Sequence, residues 1–161
     1  MIASTKHETH IDVDPQLPTI RVTREFDAPA ERVFRAHVEP ELFAQWVGPA
    51  SASTRIDHWD ARTGGSYRFV NIEGEQEYAF YGSFHEVRPH ERVVQTFTYE
   101  GMPDMVSLEF ATFEDLGDGR SRLETLSVLD SIEARDQMIA SGMEAGVVEG
   151  YAMLDALLAR Q

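Results

Sequence analysis

Six histidines and no cysteine set the limits of the chemistry this chain can carry. Without cysteine there is no disulfide, no thiolate nucleophile and no Cys-based zinc site. His7 and His10 stand near Asp12 and Asp14, a combination that could be drawn as a metal cluster. They sit in a polar lead-in that would not preorganise such ligands, so no metal site is expected there. His37, His58, His85 and His90 are scattered through the patterned part of the chain with no close pairing. His58 and His85 fall on predicted strands, where an inward ring could act as an acid or base. The solvent-facing orientation is the commoner one for a strand histidine and is the expectation here. Asp60 and Arg62 flank a two-glycine turn and read as an Asp-initiated turn with an ion pair at its base. No Ser-His-Asp order, phosphate-cradling loop or metal-spaced His/Glu pair occurs. No catalytic residue is assigned, whether the protein is an enzyme is left open, and no cofactor is expected.

What the sequence offers instead is aromatic and apolar surface in places that could enclose a ligand. Tyr67 and Phe69 alternate with Arg68, so the two rings share one face of a strand and the arginine takes the solvent side. Tyr78, Tyr81 and Tyr151 combine an apolar body with a polar tip, suited to orienting a carbonyl or hydroxyl. Trp46 and Trp59 are candidates for the mouth of a cavity, with Trp46 also placed to anchor a helix to a sheet. Phe97, Leu108 and Phe110 are the strand candidates for the wall, and Met143, Val147 and Tyr151 the helix candidates. Met102, Met105, Met138 and Met153 join Met143 near this region, giving adaptable packing.

These residues need elements to hold them. TIRVTREF, from Thr19 to Phe26, alternates apolar and polar residues as a half-buried strand does. Asp27 precedes Ala28-Pro29 as an N-cap for a helix carrying Val33, Phe34 and Val38. Pro40 stops it, and Glu41 to Val47 reads as a second short helix ended by Gly48-Pro49. Six strands follow: Ala52–Trp59, Ser66–Ile72, Tyr78–Val87, Arg92–Tyr99, Met105–Leu116 and Arg120–Leu129. The turns between them include Gly117-Asp118-Gly119, a strong hairpin signal. Short links without crossover helices dictate an antiparallel meander. Asp130-Ser131 caps a helix over Ile132–Ala140, and a longer one runs to Leu158. Residues 1–18 are expected to be a flexible lead-in, and 19–161 a single domain.

Within the last helix Gly142, Gly146 and Gly150 fall four apart, on one face. Each costs a helix interior about 1 kcal/mol relative to alanine. Close backbone approach or an open space beside the helix would repay that. Gly142 is expected to mark the bend into the helix, and Gly146 and Gly150 to face the sheet or a cavity.

The 161 residues, 42% apolar with nine phenylalanines, suit a folded globular protein. A formal charge of −14 leaves no basic stripe for nucleic acid and disfavours anionic membranes. The N-terminus lacks the apolar core of a secretory signal and no run is long enough to span a bilayer, so a cytoplasmic location is expected.

The order strand, two helices, six strands, long helix, with its local motifs, resembles the SRPBCC superfamily of START-like and birch-pollen-allergen-like helix-grip proteins. Within it the chain is similar to the activator of heat shock protein 90 ATPase homologue family. The matching segments are FDAPAERVFRA (26–36), LFAQWVGP (42–49), DARTGG (60–65), GSFHEVRPHERVVQTF (82–97) and GMEAGVVEGYAMLDALL (142–158). The resemblance implies an α+β helix-grip fold: about seven antiparallel strands curled around the C-terminal helix, with a deep cavity between. Where relatives often carry tryptophan, this chain has Val47 and Val147. A cavity-facing Val147 would enlarge the space, and a packed one would mean only a rearranged core.

The resemblance also implies a range of functions, which fold alone does not narrow. The leading expectation is a binding protein for a hydrophobic small molecule. The alternative is a polyketide cyclase or dehydratase-like enzyme using the same cavity, which requires an ionisable side chain inside it. Chaperone stimulation is the least favoured, since 161 residues leave no room for the extra chaperone-binding domain of eukaryotic activators. No protein partner is identified.

Overall fold

A computed structural model describes residues 7–160. Its centre is one eight-stranded antiparallel sheet in the order β1-β2-β8-β7-β6-β5-β4-β3. The strands are β1 (His10–Val13), β2 (Thr19–Phe26), β3 (Ser53–Trp59), β4 (Ser66–Glu73), β5 (Gln76–Arg88), β6 (Arg92–Tyr99), β7 (Ser107–Gly117) and β8 (Arg120–Val128). Helices α1 (Ala30–Val38) and α2 (Pro40–Phe43) join β2 to β3, while α3 (Ile132–Ala140) and α4 (Met143–Ala159) follow β8. The sheet curves around α4, giving the α+β helix-grip architecture expected from the sequence.

The strand count is one higher than expected, because part of the anticipated lead-in is ordered. β1 pairs with β2 from His10↔Thr23 to Val13↔Ile20. The loop that follows is held twice. Asp14 Oδ1 accepts the N–H groups of Gln16 and Leu17 at 2.8 and 2.9 Å, and these bonds hold its carboxyl below the usual range. From α3, the buried Arg135 donates to the carbonyls of Asp14, Leu17 and Thr19 at 2.8, 2.9 and 3.2 Å. A guanidinium with its fixed fork of donors suits such a carbonyl cluster.

Helix ends also differ in detail from the expectation. Asp27 does not cap α1; Pro29 occupies that position without a side-chain bond, and Ala30 N–H reaches Asp115 Oδ1 at 3.3 Å. Asp27 instead pairs with His7 at 2.9 Å. The second helix is shorter than Glu41–Val47, ending at Phe43. At α3 the cap is Ser131, whose hydroxyl accepts from Ala134 N–H at 3.0 Å. Gly142 stands before α4 with φ of 91°, a left-handed turn that glycine adopts without penalty.

The core lies where β2, β8, α1 and the C-terminal half of α4 meet. Ile20, Phe26, Val33, Leu123 and Leu154 are buried there. Arg24 is buried among them at 2% exposure, paired with Asp155 of α4 and lying 4.8 Å over the Phe26 ring. Among the described residues, no helix is long and apolar enough to cross a membrane.

Candidate functional site

The other half of α4 does not pack on the sheet. Between them is a cavity of about 700 Å³, inside the range of about 300–1,000 Å³ usual for small-molecule sites. Its aromatic wall follows from strand alternation. Phe69 of β4 and Phe80 of β5 are directly paired, and Phe97 lies on the neighbouring β6. Their rings stack in series at 5.2 Å for each step. Phe43 from α2 meets Phe69 edge-on at 5.1 Å and Trp59 at 4.8 Å. Tyr78 and Tyr99 extend the wall outward.

The tryptophans are fixed by the same helix. Trp46 Nε1 donates to the Ala36 carbonyl at 2.9 Å, and Trp59 Nε1 to the Val38 carbonyl at 2.7 Å. Both bonds satisfy carbonyls in the last turn of α1 that the helix itself leaves free. Trp46 therefore anchors α1 and lines the cavity at once, stacking on Tyr151 at 6.0 Å.

The structure places Trp46, Trp59, Phe69, Phe97, Phe110, Met143, Val147 and Tyr151 at the cavity. Val147 thus faces the space, while also touching the core. Three candidates lie elsewhere. Tyr67 is buried beyond the wall, its hydroxyl donating to the Thr96 carbonyl at 2.6 Å. Tyr81 and Leu108 are on the outer face of the sheet and exposed. Phe110 shares the outer parity of Leu108, and Arg92 lies over its ring at 5.6 Å, although it is also among the residues at the cavity. Arg68 points outward as expected, paired with Asp57 and Glu100. His58 and His85 are exposed. Asp60 and Arg62 form the expected turn pair at 2.9 Å. Met102, Met105, Met138 and Met143 line the cavity, whereas Met153 packs against the core.

Phe43, Phe80 and Glu109 are cavity residues missing from the sequence reading, and Glu109 is the enclosed carboxyl among them. On β7 the inward set is Ser107, Glu109, Ala111 and Phe113, one position out of step with the apolar pair Leu108 and Phe110. Glu109 lines the cavity, facing Gln95 of β6 and Ser127 of β8 across the ladder. The hydroxyls of Ser107 and Ser127 donate to its two oxygens at 2.7 and 2.5 Å. Loss of bulk water pushes its carboxyl above the usual range, and the two hydroxyls pull in the opposite direction. What surface it exposes looks into the cavity. Its odd-position partner Phe113, large and apolar, was the signal in the sequence for this register.

His37 also reaches the cavity, its Nδ1 donating to the Val33 carbonyl at 2.7 Å. Burial lowers its pKa to about 4, so the ring is neutral near pH 7. Tyr151 is held neutral by burial as well. Among the described residues no group of three His, Cys, Asp or Glu could hold a metal ion.

Two glycines of α4 divide the helix. A Cβ on Gly146 would meet nothing within 4 Å, so this position opens onto the cavity. A Cβ on Gly150 would lie 3.2 Å from the Trp46 carbonyl, so there the backbone of α4 passes close to the segment after α2.

The profile of the family described as Activator of Hsp90 ATPase homolog 1-like protein matches residues 27–159. No match is found among curated proteins. Protein Ms6760 from Mycobacterium smegmatis superposes with a TM-score of 0.84 at 26% identity, over 93% of this chain and 96% of that one. The AHSA1 protein from Silicibacter pomeroyi gives 0.72 at 25% identity, over 88% and 97%. A protein from Arthrobacter aurescens gives 0.86 over 94% and 92%, and at 21% identity that likeness concerns the fold alone.

Proposed function

The chain belongs to the activator of Hsp90 ATPase homolog 1-like family, and on that premise we propose that it binds an apolar, aromatic small molecule between its sheet and α4. The observation that carries this reading is the cavity of about 700 Å³ with the stacked Phe69, Phe80 and Phe97 on one wall. A filled core would have placed side chains there; instead α4 offers Gly146 and the short Val147. Transfer of an apolar ligand into such a site gains about 25 cal/mol per Å² of surface removed from water.

The neutral dye Nile red tests it. Saturable fluorescence enhancement is expected for the unaltered protein. Gly146→Leu should weaken it by about tenfold, or about 1.4 kcal/mol, because the new side chain enters open space. Enhancement that never saturates, or that is equal in the variant, would sink the reading.

One observation favours a second reading, a cyclase or dehydratase-like enzyme: Glu109 supplies the ionisable group inside the cavity. As a carboxylate it could take the acidic proton from carbon beside a ligand carbonyl and return it from the neutral acid. Deuterium exchange at that carbon in an aryl ketone, present in the unaltered protein and abolished in Glu109→Gln, is the expected result. Equal exchange in both would eliminate it.

A further inference from the structure

Glu109 is an enclosed carboxyl with no cation facing it among the described residues. Neutral hydroxyls and an amide surround it, and it enters no ion pair among the described residues. Among the described residues no arginine lines the cavity. Arg24, which approaches Tyr151 from β2, is held by Asp155. The remaining carboxylates of the lining, Glu73 and Glu149, are exposed at the rim. There Glu73 accepts from the Ser51 hydroxyl at 2.9 Å and Glu149 from the Ala50 N–H at 3.2 Å. Among the described residues the only basic side chain of the wall is His37, whose ring is neutral above about pH 4.

From this geometry we infer that the ligand is an apolar cation, a hydrophobic amine whose ammonium pairs with Glu109 while its body lies along Phe69, Phe80 and Phe97. The inference rests on the binding reading above and names the chemical class of the ligand. An ionised carboxylate accepts about four hydrogen bonds, of which Ser107 and Ser127 supply two. An ammonium group supplies both the remaining donors and the missing charge. Aromatic faces attract a cation further, and a chain of net charge −14 concentrates cations around it. A neutral ligand would leave Glu109 uncompensated, and an anionic one would be repelled by all three carboxylates.

The pairing makes affinity depend on pH with a defined sign. Below the raised pKa of Glu109 the carboxyl holds a proton, which an ammonium must displace. Affinity therefore climbs with pH until Glu109 is ionised in the free protein, and then levels until the amine itself loses its proton. The groups around Glu109 do not share this titration. Ser107 and Ser127 are not titratable here, Gln95 is neutral, and burial pushes the hydroxyls of Tyr67 and Tyr151 upward.

The test uses three probes that share a naphthyl body, 1-naphthylmethylamine, 1-naphthalenemethanol and 1-naphthoic acid, titrated calorimetrically at several pH values between about 5 and 8, where the amine stays protonated. At the upper end the amine should bind at least about tenfold tighter than the alcohol, an advantage of about 1.4 kcal/mol. The advantage of the amine over the alcohol should shrink with acidification and vanish in Glu109→Gln. A second measurement needs only the unaltered protein. On the acid side of the Glu109 titration, paired buffers of different ionisation enthalpy should show proton release with the amine and none with the alcohol. Alcohol or acid binding as tightly as the amine, or equal proton release by amine and alcohol, would overturn the inference while leaving the cavity-binding reading intact. Failure of all three probes to bind would overturn both.

Discussion

The two halves of α4 are one continuous helix in opposite environments. From Gly150 onward it is packed: Leu154 is 0% exposed, Leu157 and Leu158 are buried, and Tyr151 meets Phe26 edge-on at 5.6 Å. Asp155 reaches Arg24, and Arg32 of α1 donates to the Leu158 carbonyl. From Met143 to Glu149 the same helix spans a void, with Gly146 and Val147 facing it. Full burial of a leucine side chain stabilises by about 1.5–3 kcal/mol, so the C-terminal half supplies the hold on the sheet. The N-terminal half, carried on that anchor, is free to leave volume unfilled. Stability and ligand space are thereby assigned to different turns of one element, and substitutions should separate them.

The largest separation is expected at Asp155. Its removal in Asp155→Ala leaves Arg24, 2% exposed, with the Glu25 carbonyl at 2.6 Å as its remaining acceptor. Stripping one partner from a buried pair costs about 3–5 kcal/mol. Urea denaturation should show that loss, while Nile red affinity of the folded fraction stays within about threefold. A loss below about 1 kcal/mol would mean that this half of the helix is not the anchor.

His37 bridges the two regions, since it lines the cavity and also packs on Trp46 at 4.8 Å and Phe113 at 5.1 Å. Its folded pKa of about 4 lies below the ordinary value of 6.5. The unfolded chain therefore binds the proton first as pH falls. Its contribution is whole above pH 6.5 and lost as pH falls to about 4, amounting to about 3 kcal/mol at 1.36 kcal/mol per unit. Denaturation midpoints across that window should fall for the unaltered protein and fall less for His37→Gln. Parallel slopes in the two would place the acid sensitivity elsewhere.

Much of this architecture is written locally. The β7–β8 hairpin announces itself in Gly117-Asp118-Gly119, which take φ of 83°, 54° and 75°. Strand β1 does not, because four residues on an exposed edge are too few to establish a period, and its loop is fastened by Arg135 from 121 positions away. Half of the site was equally legible: Tyr67-Arg68-Phe69 at the start of β4 and Phe97-Thr98-Tyr99 at the end of β6 alternate plainly. Glu109 was hidden because SLEFATF carries apolar residues on both parities, and a shift of one residue exchanges the faces. The pairing partners Gln95 and Ser127 decide it, and they come from separate strands. Tyr81 and Leu108 were misplaced by the same ambiguity.

The smallest and sharpest contrast is between two alanines. At Gly146 a methyl group meets no atom of another described element within 4 Å, so Gly146→Ala gains helix propensity without a clash. It should stabilise by about 0.5–1 kcal/mol. At Gly150 the same methyl lies 3.2 Å from the Trp46 carbonyl, a backbone atom in a segment that Trp46 itself pins to α1. The neighbour has little room to give, so Gly150→Ala should forfeit that gain and destabilise by about 1 kcal/mol, the low end of overpacking costs. Thermal unfolding of the two variants reads the difference directly. If both stabilise alike, the close approach at Gly150 is relieved by a small shift of α4, and the boundary between packed and open halves lies further along the helix.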